Sequence, residues 1–434
     1  MTIQVKGSPM KKINHGARGG VVSTNFYKKI IALACIIWIQ NFLWTAHGKS
    51  DEQPLFKVAA TSAVLLDAKS GQVIFEQNAQ QTMPPASLAK LMTLYLAYDA
   101  IEAGSVSADD EVLISKKAWE TQGSKMFVEV DKRVKLQKLL EGIASISGND
   151  ACIALAEHMA GLEEVFVTKM NEKVKSLGLT QTQFKNVSGL PADNQYTTAS
   201  DMGFLCYNYL NDHPEALPIH GIKKFTFSGI TQPNRNGLLW LDEGVDGLKT
   251  GWISDEDGYH LVATATRENQ RLIAVVMGAK NERTRENEAL KLLNYGFKNF
   301  STVTLLKPDE LIATVPVWKG TVNQVSLVPA EPGIVTVPEG EDKELTLRKT
   351  IPDRLSAPIS AGAEVGTAEI LLKGETLKTI GILTQDEVTS GSLSKRLYHT
   401  ILLSFIIPPY WGWIILVLLA LLIILAGMAT RKSG

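Results

Sequence analysis

A serine and a lysine stand three residues apart in Ser87-Leu88-Ala89-Lys90. Positions i and i+3 of a helix share a face. A lysine placed there can take the serine's proton, provided that burial or neighbouring positive charge lowers its pKa. A hydroxyl activated in this way can attack a carbonyl carbon and hold the acyl group as an ester. Ser147-Gly148-Asn149 adds a second hydroxyl and an amide. Ser147 can relay a proton between Lys90 and a leaving amine, and Asn149 can hold a substrate amide. Lys249-Thr250-Gly251 adds an ammonium and a hydroxyl able to fix a carboxylate, with a glycine that lets an extended peptide approach a strand edge. Each tripeptide alone is weak. Their order and conjunction point to acyl transfer through a covalent serine intermediate.

These groups need elements to carry them. From Thr61 the chain reads Ser-Ala-Val-Leu-Leu, a Gly-containing turn at Asp67–Gly71, then Gln-Val-Ile-Phe, which predicts a hairpin. Pro84-Pro85 breaks the chain, and a helix starting near Ser87 is apolar on most faces, so it is expected to be buried. Val134 to His158 reads as two helices joined by the Ser147-Gly148-Asn149 turn, the second capped by Asn149-Asp150. Glu163–Leu177 and Thr198–Leu210, the latter capped at Ser200, are further helices. Strands follow Phe225; Tyr259–Arg267 and Arg271–Ala279 are apolar runs, and a helix over Glu286–Phe297 closes the unit. The pattern is α+β, a mixed sheet with the helices in their own layer. Ser301–Thr389 differs: short alternating runs between Pro, Gly and charged turns predict a small all-β domain.

More than the three tripeptides then fit one pattern. Pro85-Ala86-Ser87-Leu88-Ala89-Lys90-Leu91-Met92-Thr93, Gly123-Ser124-Lys125-Met126-Phe127, Ser147-Gly148-Asn149-Asp150-Ala151, Asn234-Arg235-Asn236 and Val245-Asp246-Gly247-Leu248-Lys249-Thr250-Gly251 together resemble the low-molecular-mass penicillin-binding proteins, the D-alanyl-D-alanine carboxypeptidase family of serine peptidases. The resemblance implies a β-lactamase/transpeptidase-like catalytic domain over 49–299, an all-β domain over 300–388 and a C-terminal membrane helix. It implies Ser87 as the acylated nucleophile, Lys90 as its general base, and Ser147 and Lys249 as further catalytic groups. Asn149, Arg235, Thr250, Gly251 and Trp252 would bind substrate, the backbone N–H groups of Ser87 and Trp252 forming the oxyanion hole. The expected partners are peptidoglycan stem peptides, with β-lactams as inhibitors, and no cofactor or metal is implied. The chain departs from the family at Trp252-Ile253, where His-Thr is usual. A backbone donor does not depend on its side chain, so the departure bears on rate and substrate preference more than on reaction class. His260 is near in sequence but lies beyond a turn.

Composition narrows the alternatives. The 434 residues are too many for one ordinary domain, and a formal net charge of −1 argues against nucleic acid as a partner. Cys152 and Cys206 read as buried small hydrophobes that could pair but need not, and Cys35 falls in an N-terminal apolar run. That run, Ile30–Trp44, follows Lys28-Lys29 and precedes Ala46-His47-Gly48, the pattern of a signal peptide over 1–48. At the other end, 389–409 reads as a linker and an interfacial helix, and 410–430 as a transmembrane anchor opened by Tyr410, Trp411 and Trp413 and followed by Arg431-Lys432. These ends place the catalytic domain outside the inner membrane. A β-lactamase needs a deacylating base, and no matching Glu-x-x-x-Asn segment lies between Ser147 and Lys249. An endopeptidase acting on D-alanyl cross-links and a wall-binding scaffold with a degenerate site stay open as alternatives.

Overall fold

The structure is a computed structural model and describes residues 56–406 and 411–431, with the side chains of 403–406, 411 and 425–431 outside the description. The signal segment expected over 1–48 lies outside the described residues. The described residues from Val58 onward fall in one compact unit.

The predicted hairpin is β1 (Ser62–Asp67) and β2 (Val73–Gln77). Short pairs follow, β3 (Glu111–Leu113) with β4 (Arg133–Lys135), and β5 (Lys224–Phe227) with β6 (Ile230–Pro233). The strands β7 (Val245–Trp252), β8 (Tyr259–Arg267) and β9 (Gln270–Ala279) complete a five-stranded sheet in the order β2-β1-β9-β8-β7. Its pairings are antiparallel. β7 therefore ends the sheet, with one edge free of sheet partners. β1, β8 and β9 are buried nearly throughout because helices cover one face and the helix Glu282–Asn299 the other.

Ser87 lies not in the helix itself but in a 3₁₀ turn, Ala86–Leu88, that feeds the helix Ala89–Glu102. That helix is the buried centre of the layer: nine of its first ten residues, Leu96 excepted, are buried. The helices Leu136–Ser145 and Asn149–Ala160 flank the Ser147 turn, and Glu163–Ser176 and Ala199–Asp212 pack outside them. Two capping expectations are corrected. The Thr198 hydroxyl, not Ser200, accepts the Asp201 N–H at the start of its helix. The Asn149–Ala160 helix has Gly148 at its cap with no side-chain bond, because Asn149 and Asp150 reach into a neighbouring loop. The closing helix also begins one turn earlier than predicted, where Asn281 accepts the Thr284 N–H.

β10 (Phe300–Leu306) continues from that helix and pairs with β13 (Gly333–Pro338). β11 (Ala313–Trp318), β12 (Gln324–Pro329), β14 (Leu345–Thr350), β15 (Leu355–Ser356), β16 (Glu364–Leu372) and β17 (Glu375–Thr384) form a second sheet, ordered β14-β16-β17-β12-β11-β15. Its core is Leu306, Val315, Leu327, Val335, Ile370, Ile380 and their neighbours. The β1–β2 turn grips this half: Ser70 Oγ lies 2.6 Å from Thr336 Oγ1, and the Thr336 N–H donates to Gln72 Oε1 at 2.6 Å. A helix spans Leu393–Ile406 with Leu393, Leu397, Tyr398 and Ile401 exposed, and another spans Trp411–Arg431. Among the described residues no helix is long and apolar enough to cross a membrane. Cys152 and Cys206 are free and buried.

Candidate active site

The nucleophile turn is made by its neighbours. Ala86 has φ 49°, a left-handed value, and the Leu88 N–H donates to Pro85 O at 3.1 Å. His260 pins the preceding segment, bridging Pro84 O and the Gly278 N–H at 3.1 and 3.0 Å. It is thus a buried support for the turn rather than a substitute for a substrate-binding imidazole. Two glycines close on Ala86. A Cβ on Gly189 would lie 1.7 Å from Ala86 O, and one on Gly251 would lie 3.0 Å from Ala86 Cβ.

Lys90 is wholly buried and donates from Nζ to Ser87 Oγ at 2.9 Å and to Ser188 O at 2.6 Å. Burial pulls its pKa down from 10.5 to about 8, with the Asp150 charge opposing the shift. Lys249, on β7, is 2% exposed, and its Nζ donates to Thr250 O at 3.1 Å. Burial first, and the Lys90 charge second, hold it well below the ordinary lysine range. Two buried lysines that repel each other's charge supply a neutral amine near neutrality, as general-base chemistry requires. Beneath β7, His220 bonds Leu248 O at 3.1 Å, and burial lowers its pKa to about 4, so it stays neutral.

Ser147 holds a left-handed φ of 65° and is buried, and its Oγ has no hydrogen-bond partner within the protein. A buried hydroxyl without a partner is costly unless a ligand or water satisfies it. Asn149 Nδ2 donates to Gln122 O at 2.6 Å, and its N–H to Ser124 O at 2.7 Å. The Asp150 carboxylate accepts the N–H groups of Met126, Phe127 and Val128 at 3.0, 2.9 and 3.2 Å. The Gly123–Phe127 loop is thereby strapped over the second motif.

Arg235 sits between two fixed asparagines. Asn234 Nδ2 donates to His220 O and Ile222 O, and Asn236 Nδ2 donates to Gly247 O at 2.9 Å. Its backbone is held from the other side by Arg285, whose Nη2 donates to Arg235 O at 3.1 Å. Arg285 was not among the sequence-predicted residues. It is 3% exposed, its Nε has no partner, and its ion pairs to Glu286 and Glu282 are loose at 3.7 and 3.8 Å. The only local signal for it was the Asn281 cap, which starts the helix early enough to include it. Tyr259, also missed, lies with its ring centroid 5.8 Å from the Arg285 guanidinium carbon and 6.0 Å from that of Trp252.

These groups surround a cavity of about 230 Å³. Ser87, Ser147, Arg235, Thr250, Gly251 and Trp252 line it, joined by Ser124, Tyr259, Glu282 and Arg285. Lys90 and Lys249 stand behind its wall, and Asn149 braces the loop at its rim. Larger hollows of about 520 and 610 Å³ occur elsewhere, but among the described residues neither is lined by a hydroxyl bonded to a lysine amine. Trp252 is 51% exposed.

Comparison with known proteins bears directly on this arrangement. Residues 47–281 match the family model described as D-alanyl-D-alanine carboxypeptidase. The chain belongs to that family. Residues 300–390 match the C-terminal domain of penicillin-binding protein 5. The chain is 42% identical over 372 residues to the D-alanyl-D-alanine carboxypeptidase DacC of Escherichia coli (strain K12), covering 84% of this chain and 93% of the relative. It is 33% identical over 392 residues to DacF of Bacillus subtilis (strain 168), covering 86% and 98%. Among solved structures, penicillin-binding protein 5 from Haemophilus influenzae superposes with a TM-score of 0.72 at 38% identity, over 77% of this chain and 99% of that one. Penicillin-binding protein D2 from Listeria monocytogenes, in its ampicillin-bound form, matches with a TM-score of 0.52 at 30% identity, over 56% and 100%. The family resemblance read from the motifs holds, and with it the class of activity: a serine-type D-alanyl-D-alanine carboxypeptidase, a hydrolase.

Proposed function

We propose that this carboxypeptidase removes the terminal D-alanine of peptidoglycan stem pentapeptides through an acyl-enzyme on Ser87. The observation that carries the assignment is the wholly buried Lys90 amine 2.9 Å from Ser87 Oγ, at the wall of a cavity that also presents two guanidinium groups. Lys90 takes the Ser87 proton as Oγ attacks the penultimate D-alanyl carbonyl carbon. The backbone N–H groups of Ser87 and Trp252 receive the developing oxyanion; such donors contribute about 3–4 kcal/mol each. Ser147 passes a proton to the departing amine, the C–N bond breaks and D-alanine leaves. A water then attacks the ester, its proton returns through the same groups and Ser87 is freed. Asn149, Arg235, Thr250 and Gly251 bind substrate, with Lys249 supporting the proton network. We add Arg285 to Arg235 and Thr250 as a binder of the terminal carboxylate, on the strength of its buried, unpartnered Nε.

β-Lactams would acylate the same serine, and the Listeria protein's ampicillin complex supports that reading. The segment facing Lys90 offers it the Ser188 carbonyl rather than a carboxylate, which disfavours a β-lactamase. We retain the division into 49–299, 300–388, 389–409 and 410–430, and propose export by 1–48 and attachment to the inner membrane by 410–430. The apolar sequence of that last segment and the exposed Leu393, Leu397 and Ile401 of the helix before it support attachment.

The test incubates the enzyme, and its Ser87→Ala variant, with pentapeptide and cross-linked dimer muropeptides and follows both by mass. Loss of one D-alanine from the pentapeptide, abolished by the substitution, is the expected result. Dimer cleavage in its place would make the enzyme an endopeptidase, and no turnover of either would favour a scaffold.

A further inference from the structure

A neutral primary amine carries two N–H bonds and one lone pair. To take a proton from Ser87, Lys90 must aim that lone pair at Oγ, so an N–H has to be held elsewhere. The Ser188 carbonyl does this at 2.6 Å. What holds the carbonyl is a side chain that touches neither Ser87 nor Lys90. Asn186 Oδ1 accepts the N–H groups of Gly189 at 2.7 Å and Leu190 at 3.0 Å, and both the N–H and hydroxyl of Ser188 at 3.3 Å. Its Nδ2 donates to Leu190 O at 2.8 Å, which also accepts Gln195 Nε2 at 2.8 Å. Gln195 Oε1 in turn accepts the N–H groups of Lys185 and Asn186. On the helix that carries Lys90, Thr93 Oγ1 donates to Val187 O at 2.7 Å, fixing the carbonyl one residue upstream.

We propose that Asn186 is a positioning residue for acylation: by folding residues 188–190 around its side-chain oxygen, it aims the Ser188 carbonyl at Lys90 and so turns the amine's lone pair toward Ser87. The inference rests on the Ser87–Lys90 assignment made above. Asn186 is only half-buried, so its loss opens no large cavity. The other titratable or charged groups acting on Lys90 are Asp150 and Cys152 from the helix Asn149–Ala160 and Lys249 from β7. None of them touches Asn186 in the hydrogen bonds described.

The experiment measures the second-order rate of labelling by a fluorescent penicillin across pH in the full chain, for wild type, Asn186→Ala, Asn186→Asp and Ser87→Ala, with melting curves alongside. Misplacement of a base by about 1 Å costs on the order of 100-fold, so Asn186→Ala is expected to slow acylation roughly 10- to 100-fold. Non-covalent affinity should stay unchanged. The acid limb of the alanine variant should move to lower pH, since a carbonyl that favoured the ammonium is no longer aimed at it. Asn186→Asp keeps the accepting oxygen but sets a carboxylate oxygen against Leu190 O in place of the Nδ2 donor, so it should recover part of the rate, with its acid limb at or above that of wild type. An Asn186→Ala enzyme within about twofold of wild type and with an unmoved limb overturns the proposal. Labelling of Ser87→Ala would instead overturn the nucleophile assignment, and this inference with it.

Discussion

Acylation should rise with pH through a midpoint near 8. A lysine at the ordinary pKa of 10.5 is neutral in about one molecule in 3,000 at pH 7. With the Lys90 pKa at about 8, the neutral fraction at pH 7 is about one in ten, a gain in available base of roughly 300-fold. The physical cause is burial, and the same burial penalises the folded state. The folded pKa lies below the unfolded one, so the unfolded chain binds more protons between them. Stability attributable to Lys90 is therefore lowest below pH 8 and recovers as pH rises toward 10.5, by about 3 kcal/mol in all. Rapid-mixing measurement of penicillin labelling between about pH 5 and 10 reads the first effect, and urea unfolding over the same range reads the second. Burial, and then the Lys90 charge, hold Lys249 well below the ordinary lysine range, so Lys249 is the member of the pair that gives up its proton first. Lys249→Gln should therefore leave the midpoint of the limb near that of wild type. A midpoint near 10 in the wild type, or a flat profile, would refute the claim that a desolvated Lys90 amine is the base.

Two side chains at the cavity wall make separable predictions. Arg285→Gln should weaken pentapeptide binding by about 1.5–3 kcal/mol, read as a roughly 10- to 100-fold rise in KM with kcat little changed; an unaltered KM would remove Arg285 from the carboxylate site. Trp252→His leaves the backbone donor in place, so penicillin labelling should stay within about threefold of wild type while the ratio of pentapeptide to dimer turnover shifts. A loss of labelling beyond about 100-fold would show that the indole itself holds the oxyanion hole in shape.

The catalytic pair was legible because its spacing is local. Ser87 and Lys90 meet through one turn of chain, and that holds although Ser87 lies in a 3₁₀ turn instead of the helix. The strands of the main sheet were legible from their apolar runs. Arg285 was not, because an arginine flanked by Glu282 and Glu286 reads as a surface ion-pair residue; only the register of the helix turns it inward. Asn186 and Gln195 were equally hidden, since amide side chains in a loop signal a turn without saying whose carbonyl they aim. Asn149 and Asp150 follow the rule for helix caps, yet the Asn149 amide is taken by Gln122 O, and the Asp150 carboxylate accepts three N–H groups of the loop after it as well as one from its own helix. In the second domain the strands could be read singly. The parallel meeting of β11 with β15 depends on pairing across more than thirty residues, and no local pattern encodes it.

Ala86 is caught between Gly189 and Gly251, two glycines that arrive from distant parts of the chain to meet one turn. On the proposal that β-lactams acylate Ser87, this constrains which escape routes antibiotic selection could open. A side chain at 189 collides with the turn that presents the nucleophile, and one at 251 presses on it, so neither can discriminate against a drug without also displacing Ser87. Trp252, which lines the same cavity as Ser87, is exposed, so a change of side chain there leaves the turn in place. Escape from a drug that acylated Ser87 would then fall on the cavity's outer wall, and Trp252 is the first position to watch.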